Sequence, residues 1–324
     1  MGQESVTQAC ISEIAPGQAS PPFHMALDEA FFVLDGHGVA SVWGSDESRK
    51  ISFEWQRHSL FLIPGNYTYR LYNAHGSEPL RLLHFNYLPL AMKLIPFADT
   101  FFSSTAVDSE RMSALNGQGA FAAARPLTAE DRASNRVQSS DGWGGNVWIG
   151  NLFPDLDAWQ NLQAVAHRGA TQSVAMVFPG SPLSSHMSVF EPGTYKKAHR
   201  HAAGVVIVVI SGEGYSLMWR EGEAKNVIPW RAGSAFSPPN RWFHQHFNVG
   251  AEPARYLALH VPRGMSGYSQ RPEYLDRDQI ELTAEDPWVR ETFESELAKR
   301  SLRSLMPQEA YVDKHFDWSK RKKA

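Results

Sequence analysis

One cysteine, Cys10, is all that the 324 residues contain. A single thiol cannot form an internal disulfide, and no motif surrounds this one. Long apolar runs are also missing: none approaches the ~18 residues that a membrane span needs. The opening MGQESVTQ has neither the basic nor the apolar region of a signal peptide. Val6 stands where a myristoylation signal requires Ser or Thr. These absences lead to the expectation of a cytoplasmic protein without a membrane partner. An excess of one charge is lacking as well: 31 Lys and Arg face 34 Asp and Glu, for a net charge of −3. That balance gives no general attraction to nucleic acid or acidic membranes. The basic end KRKKA is short and reads as a solvated terminus. There is no Ser-His-Asp order, nucleophile elbow, Cys-x-x-Cys or helix-turn-helix segment. Gly212-Glu213-Gly214 is a hairpin signal, because no strand–loop–helix context makes it a phosphate loop.

What remains is globular. Hydrophobic residues make up 43% and charged ones 20%, and the length allows two domains. Residues 1–22 read as an entering arm. From Phe23 to about Leu90, the runs AFFVLDGHG, GVASVWG, HSLFLIPGN, YTYRLYN and LRLLHFNYL have strand length and composition, separated by turn residues. Residues 96–146 turn to Ala, Ser, Gly and Asn and read as a connector with one or two short helices. Strand patterning returns from about Val147 to Pro262. Near the end, Asp286 is an N-cap, Pro287 suits the first helical position, and Val289, Phe293 and Leu297 make an apolar stripe. This helix is expected to pack on the sheets or on a partner subunit, with Pro307 as its stop.

The two strand-rich parts are copies of each other. GHGVASVW at Gly36–Trp43 matches GEGYSLMW at Gly212–Trp219, an offset of 176. Ser59, Phe61, Pro64 and Asn73 match Ser234, Phe236, Pro239 and Asn248 at an offset of 175. Glu78-Pro79 matches Glu252-Pro253 at 174. Offsets this steady argue for a duplicated domain.

Within the second copy, the stretch Gly193–Asn248 holds two histidine pairs, His199 with His201 and His244 with His246. Residues two apart on a strand share a face, so each pair aims two imidazoles into one cavity. Neutral imidazole is a common ligand of transition metals. A metal site is the leading reading. His246 is open between a fourth ligand, a proton-transfer group and a packed, hydrogen-bonded histidine. Lys197 has the parity of His199 and His201 and is either a cavity lysine or a solvated one. His186 is a cavity candidate or a satisfied strand histidine, His260 reads as structural, and Tyr195 lies nearer the turn. Arg241 is a guard of the barrel mouth or a surface arginine, and Trp219 and Trp242 read as wall or core.

These residues resemble the cupin superfamily. Gly193, five residues, His199-x-His201, three residues, Val205, six residues and Gly212 follow its first motif, with Val205 in the place of a ligating Glu. Gly233, Pro239, His244 and Asn248 follow its second, with Arg241 where a Gly is usual. The resemblance covers about two thirds of the chain and implies a mainly all-β fold: two jelly-roll barrels in tandem with a C-terminal helix. It implies metal ligation by His199, His201 and His244. In the first copy, Phe23, Met25 and Tyr69 occupy the ligand positions, so that barrel is expected to hold no metal, although Glu29 fills its Glu slot. The expected division is 1–95, 96–146, 147–265 and 266–324.

Three neutral histidines leave a bound divalent cation its full charge, with positions open for substrate or O2. The motif style resembles three-histidine gentisate-type dioxygenases, which carry their metal in the N-terminal cupin, whereas here only the C-terminal copy has ligands. The resemblance therefore implies Fe(II), with Mn, Ni or Zn as alternatives, and oxidative C–C cleavage of a small aromatic, phenolic or enolisable substrate. His246 and Lys197 would assist by hydrogen bonding or proton transfer. The competing readings are a metal-dependent lyase, isomerase or decarboxylase without redox chemistry, and a non-enzymatic small-molecule-binding bicupin. A homodimer or higher homo-oligomer is expected.

Overall fold

The computed structural model describes residues 2–105, 119–133, 146–164, 168–262, 265 and 272–318. Two pairs of facing sheets make two jelly rolls. In the first, one sheet runs in the order Gln8–Ile14, Leu80–Asn86, Glu29–Asp35, Leu60–Ile63, Leu152–Phe153. The facing sheet is Phe23–His24, Thr68–Asn73, His37–Trp43, Ile51–Gln56. In the second jelly roll, the inter-barrel sheet begins with Ala235–Phe236, Val206–Ser211, Ala254–His260, Ser184–Phe190 and Thr171–Val177. The sheet facing it is Asn226–Arg231, Glu213–Trp219, Phe243–Asn248, Ala198–His199, Gln279–Ile280. The segment read as an entering arm thus supplies an edge strand, with Gln8–Ile14 paired along its whole length to Leu80–Asn86. Within the expected connector, Asp99–Phe102 and Ala129–Ala133 are short helices, and a further helix, Leu88–Leu94, precedes it. The rest of the connector, 106–118 and 134–145, and the basic tail lie outside the described residues.

The copies agree in pairing as well as sequence. Gly38 faces Asn73 as Gly214 faces Asn248, and Phe23 faces Tyr69 as His199 faces His244. Asn73 donates to the carbonyls of Ile14 and Glu78, and Asn248 to those of Phe190 and Glu252. Two turn positions also correspond. Asn66 and Arg241 both have positive φ, 66° and 60°, which explains why glycine is usual there and what Arg241 must accommodate.

The central strands of the inter-barrel sheets are buried on both faces. Ala30, Phe32, Leu60 and Leu62 point out of the first barrel and pack with Val206, Val208, Ile210 and Leu257 of the second in one shared core. The alternate residues Phe31 and Val33, and Ile207 and Val209, fill the barrel interiors. Burial on both faces explains the unbroken apolar run VVIVVI, which would alternate if one face met water. The chain weaves between barrels near residue 150: Val147–Ile149 pairs with the second barrel and Leu152–Phe153 with the first.

The C-terminal helix spans Pro287–Ala298, with the Asp286 side chain accepting from the Trp288 N–H and Val289, Phe293 and Leu297 buried. It covers the outer face of the strand Phe243–Asn248, where Phe243 and Phe247 join its core. The helix stops well before Pro307. Ser301 takes a left-handed φ of 58°, and the Leu302 N–H returns to the Leu297 carbonyl, the hydrogen bonding of a Schellman cap.

Candidate metal centre

His199, His201 and His244 converge inside the second barrel. All three are buried, and their candidate ligand nitrogens lie within 4.8 Å of one another. They are the one such group of three among the described residues. His199 and His244 are paired across adjacent strands, with ring centroids 4.3 Å apart, and His201 lies 4.7 Å from His244.

Each ring is oriented by its own backbone surroundings. Nδ1 of His199 is 3.4 Å from the Lys197 carbonyl, Nδ1 of His201 is 2.7 Å from that of Ala202, and Nδ1 of His244 is 3.1 Å from that of Trp242. A carbonyl can only accept, so each Nδ1 carries the proton and each Nε2 is left with its lone pair. Burial, followed by the charge of Arg168, pushes His199 well below its ordinary value; burial also dominates at His244. Burial holds His201 down at about 4. All three are therefore neutral at pH 7. Three neutral imidazoles with fixed tautomers suit a divalent transition metal and leave coordination positions open. Val205, in the place of a ligating Glu, is buried among Phe190, Ile207 and Trp230.

His246 is on the same strand face but is held differently. Its Nδ1 meets Ser216 Oγ at 2.7 Å, and Ser216 accepts from Trp230 Nε1 at 3.0 Å. Its ring lies against Tyr256 and Phe236. It stands beside the three-histidine group, outside it.

Lys197 is not in the lumen: its Nζ pairs with Glu281. The lumen lysine is Lys196, whose buried Nζ donates to Ser188 Oγ (2.9 Å) and to the Tyr256 hydroxyl. The cause is a one-residue shift in pairing. Tyr195 bridges Phe247, yet His199 pairs with His244, so three residues on one strand oppose two on the other. This β-bulge puts Lys197 and Ala198 on the outer side and restores inward parity only at His199. The first copy has the same bulge, between the Ala19–Tyr72 bridge and the Phe23–Tyr69 pair.

His186 and His260 share a hydrogen bond of 2.7 Å, with His186 near Tyr256. Tyr195 faces outward and donates to Glu285 at 2.7 Å. Trp219 stacks with Phe243 in the outer core, and Trp242 lies under Arg220. Arg241 pairs with Asp278 rather than standing free at the mouth. Asp278 also binds Arg200 and Arg277. Burial works to raise its carboxyl, but the three guanidiniums outweigh that and hold it well below the usual range. Sequence reasoning missed Lys196, Ser216, Tyr256, Asp278 and Arg168. The positive charge of Arg168 bears on His199, His201, His244 and His246 and on Lys196.

Among the described residues the first barrel has no counterpart of this group. Tyr69, at the position of His244, donates to Glu29 at 2.7 Å, and Asn86 donates to the same carboxylate at 3.0 Å. The interior there is closed by its own hydrogen bonds.

Residues 186–260 match the cupin domain. That domain and the paired barrels together give the chain a bicupin fold. The chain is similar to a gentisate 1,2-dioxygenase of a Streptomyces species, 27% identical over 128 residues. That match covers 34% of this chain and only 35% of the relative. Among solved structures, salicylate 1,2-dioxygenase from Pseudaminobacter salicylatoxidans superposes with a TM-score of 0.53 at 17% identity, covering 79% of this chain and 71% of that one. Oxalate decarboxylase from Lactobacillus farciminis, in complex with formate, gives 0.50 at 11%, covering 82% and 79%. At these identities the structural likeness is one of fold. These relatives are enzymes, and no helix among the described residues is long and apolar enough to cross a membrane.

Proposed function

We propose that the chain is a non-haem Fe(II) dioxygenase that cleaves a C–C bond of a small aromatic, phenolic or enolisable substrate carrying an anionic group. The observation that carries this reading is the convergence of three buried, neutral, tautomer-locked histidines in one lumen. Bound Fe(II) would supply open positions for substrate oxygen and O2. Both oxygen atoms of O2 would enter the product, so no external reductant is needed. The gentisate 1,2-dioxygenase similarity, partial as it is, supports the same chemistry.

The other roles follow from the lumen. Arg168 and Lys196 are the neighbouring charges that bear on the histidines. With neutral ligands, the metal's charge adds to theirs, and a substrate anion balances it. Burial, then Arg168, pushes the Lys196 ammonium down, and a bound anion would reverse that push. His246, with Nδ1 fixed by Ser216, keeps Nε2 for exchanging a proton with the substrate. Lys197, held by Glu281, has no part in this reading.

The test is metal analysis of anaerobically purified protein, followed by O2 uptake with phenolic acids and diketones. Iron with substrate-dependent O2 uptake is expected. Turnover without O2 uptake would replace this reading with a lyase or decarboxylase. Tight ligand binding without turnover would replace it with a binding module.

A further inference from the structure

We propose that Asp278 is a positioning residue for the metal centre: it ties the C-terminal segment to both chain stretches that carry the histidines, so that docking of this segment and metal affinity are linked. The inference rests on the three-histidine reading above and concerns a carboxylate more than seventy positions from His199 in sequence.

The carboxylate of Asp278 is almost fully buried, with side-chain exposure of 1%. Three guanidiniums close on it: Arg200 Nε at 3.1 Å, Arg241 through both terminal nitrogens, and Arg277 through Nε at 3.1 Å and a terminal nitrogen at 2.6 Å. Arg200 is the residue between His199 and His201, and its guanidinium also lies 4.4 Å from the ring centroid of Phe243, the neighbour of His244. Arg241 sits three residues before His244 in the strained left-handed turn, and its N–H donates to the His201 carbonyl at 2.9 Å. One carboxylate therefore fixes the stretch 199–201 and the turn into His244 at once.

The backbone repeats the connection. The Arg200 N–H donates to the Asp278 carbonyl at 2.9 Å, and the Arg200 side chain to the Arg277 carbonyl at 3.1 Å. Just beyond Asp278, Gln279 and Ile280 form a strand paired to His199 and Ala198. Lys197 then meets Glu281. His199 thus sits on a strand of only two residues, Ala198–His199, with His244 on one side and the C-terminal segment on the other. A strand this short gains its geometry from its neighbours. Removing the Asp278 charge would leave three arginines facing one another and loosen both ligand stretches. Outer groups that orient metal ligands typically govern affinity by 10–100-fold. By linkage, whatever docking contributes to metal binding, metal binding returns to docking.

The test uses metal-free full-length chain titrated with Co(II), whose visible bands report ligand geometry, against a competing chelator. Asp278→Asn is expected to weaken Co(II) binding about 10–100-fold and to alter the bands. Arg241→Met, at a half-exposed side chain, keeps the test open if Asp278→Asn does not fold, and should shift both readouts in the same direction. Asp276→Asn, two positions away at an exposed side chain that meets Lys314 at the surface, should match wild type. Saturating Co(II) should also slow tryptic cleavage after Arg277 in wild type, with less protection in Asp278→Asn. Wild-type affinity and bands in Asp278→Asn, or in Arg241→Met should Asp278→Asn not fold, while His244→Ala has lost binding, overturn the role of Asp278 alone. A wild-type chain that binds no Co(II) overturns both this role and the three-histidine reading.

Discussion

At the scale of single residues, the three site histidines share one arrangement: Nδ1 faces a backbone carbonyl of the same local stretch, which leaves Nε2 its lone pair. Replacing His199, His201 or His244 with Ala should abolish metal binding at micromolar concentration. His246→Ala should bind metal normally and lose turnover, since its Nδ1 is committed to Ser216. Lys196→Met should raise KM for an anionic substrate about 10–100-fold with little change for a neutral analogue, the size of a charged hydrogen bond. The buried histidines also set a pH dependence. His201 is held down at about 4 from an ordinary 6.5, chiefly by burial. Between those values the unfolded chain binds more protons than the native one. Metal-free protein should therefore have full stability above about pH 6.5 and lose it as the pH falls toward 4, as urea midpoints would report. The convergence of these three histidines was legible in the sequence because the two-residue spacing of His199 and His201 survives in the structure. Lys196 was not, because counting by twos from His199 fails across a bulge that no residue type announces. Arg168 has no sequence pattern to betray it.

At the scale of elements, the C-terminal helix was readable in its cap and its buried stripe, because both are local. Its function was not, because that depends on what its start touches. Glu285, just before the helix, accepts from Tyr195 at 2.7 Å and from Gln245 at 2.7 Å, and Gln245 lies between His244 and His246. Burial raises Glu285 to about 7 from 4.5. The native state therefore binds the extra proton between those values. That contribution is complete below about pH 4.5 and is lost as the pH rises through 7. Glu285→Gln removes the titration, so its stability relative to wild type should increase from pH 5 to pH 8. A constant difference between the two urea midpoints would contradict this account. The edge strand Gln8–Ile14 was read as an arm because QACISEI shows little alternation; its neighbour Leu80–Asn86, not its own pattern, makes it a strand.

At the scale of the molecule, the duplication was visible in offsets of 174 to 176 and reappears as matching registers, bulges and asparagine contacts. The shared core between the barrels was not visible, since an apolar run does not say what lies on its second face. Phe32→Ala, in that core, should destabilise the protein by about 3–5 kcal/mol in urea while leaving the histidine lumen chemically intact. We propose the division into 1–95, 96–146, 147–265 and 266–324 as working units, with Leu152–Phe153 paired into the first barrel. In the first barrel, Tyr69 and Glu29 satisfy each other where the second presents imidazoles, so among the described residues the three-histidine group lies in the second barrel. The most direct measurement is the metal content of the reconstituted chain, compared across wild type and the His199, His201, His244 and His246 alanine variants. The account predicts one metal per chain in wild type and in His246→Ala, and none in the other three. A wild-type chain without metal, or a His244→Ala chain that retains it, would contradict the account.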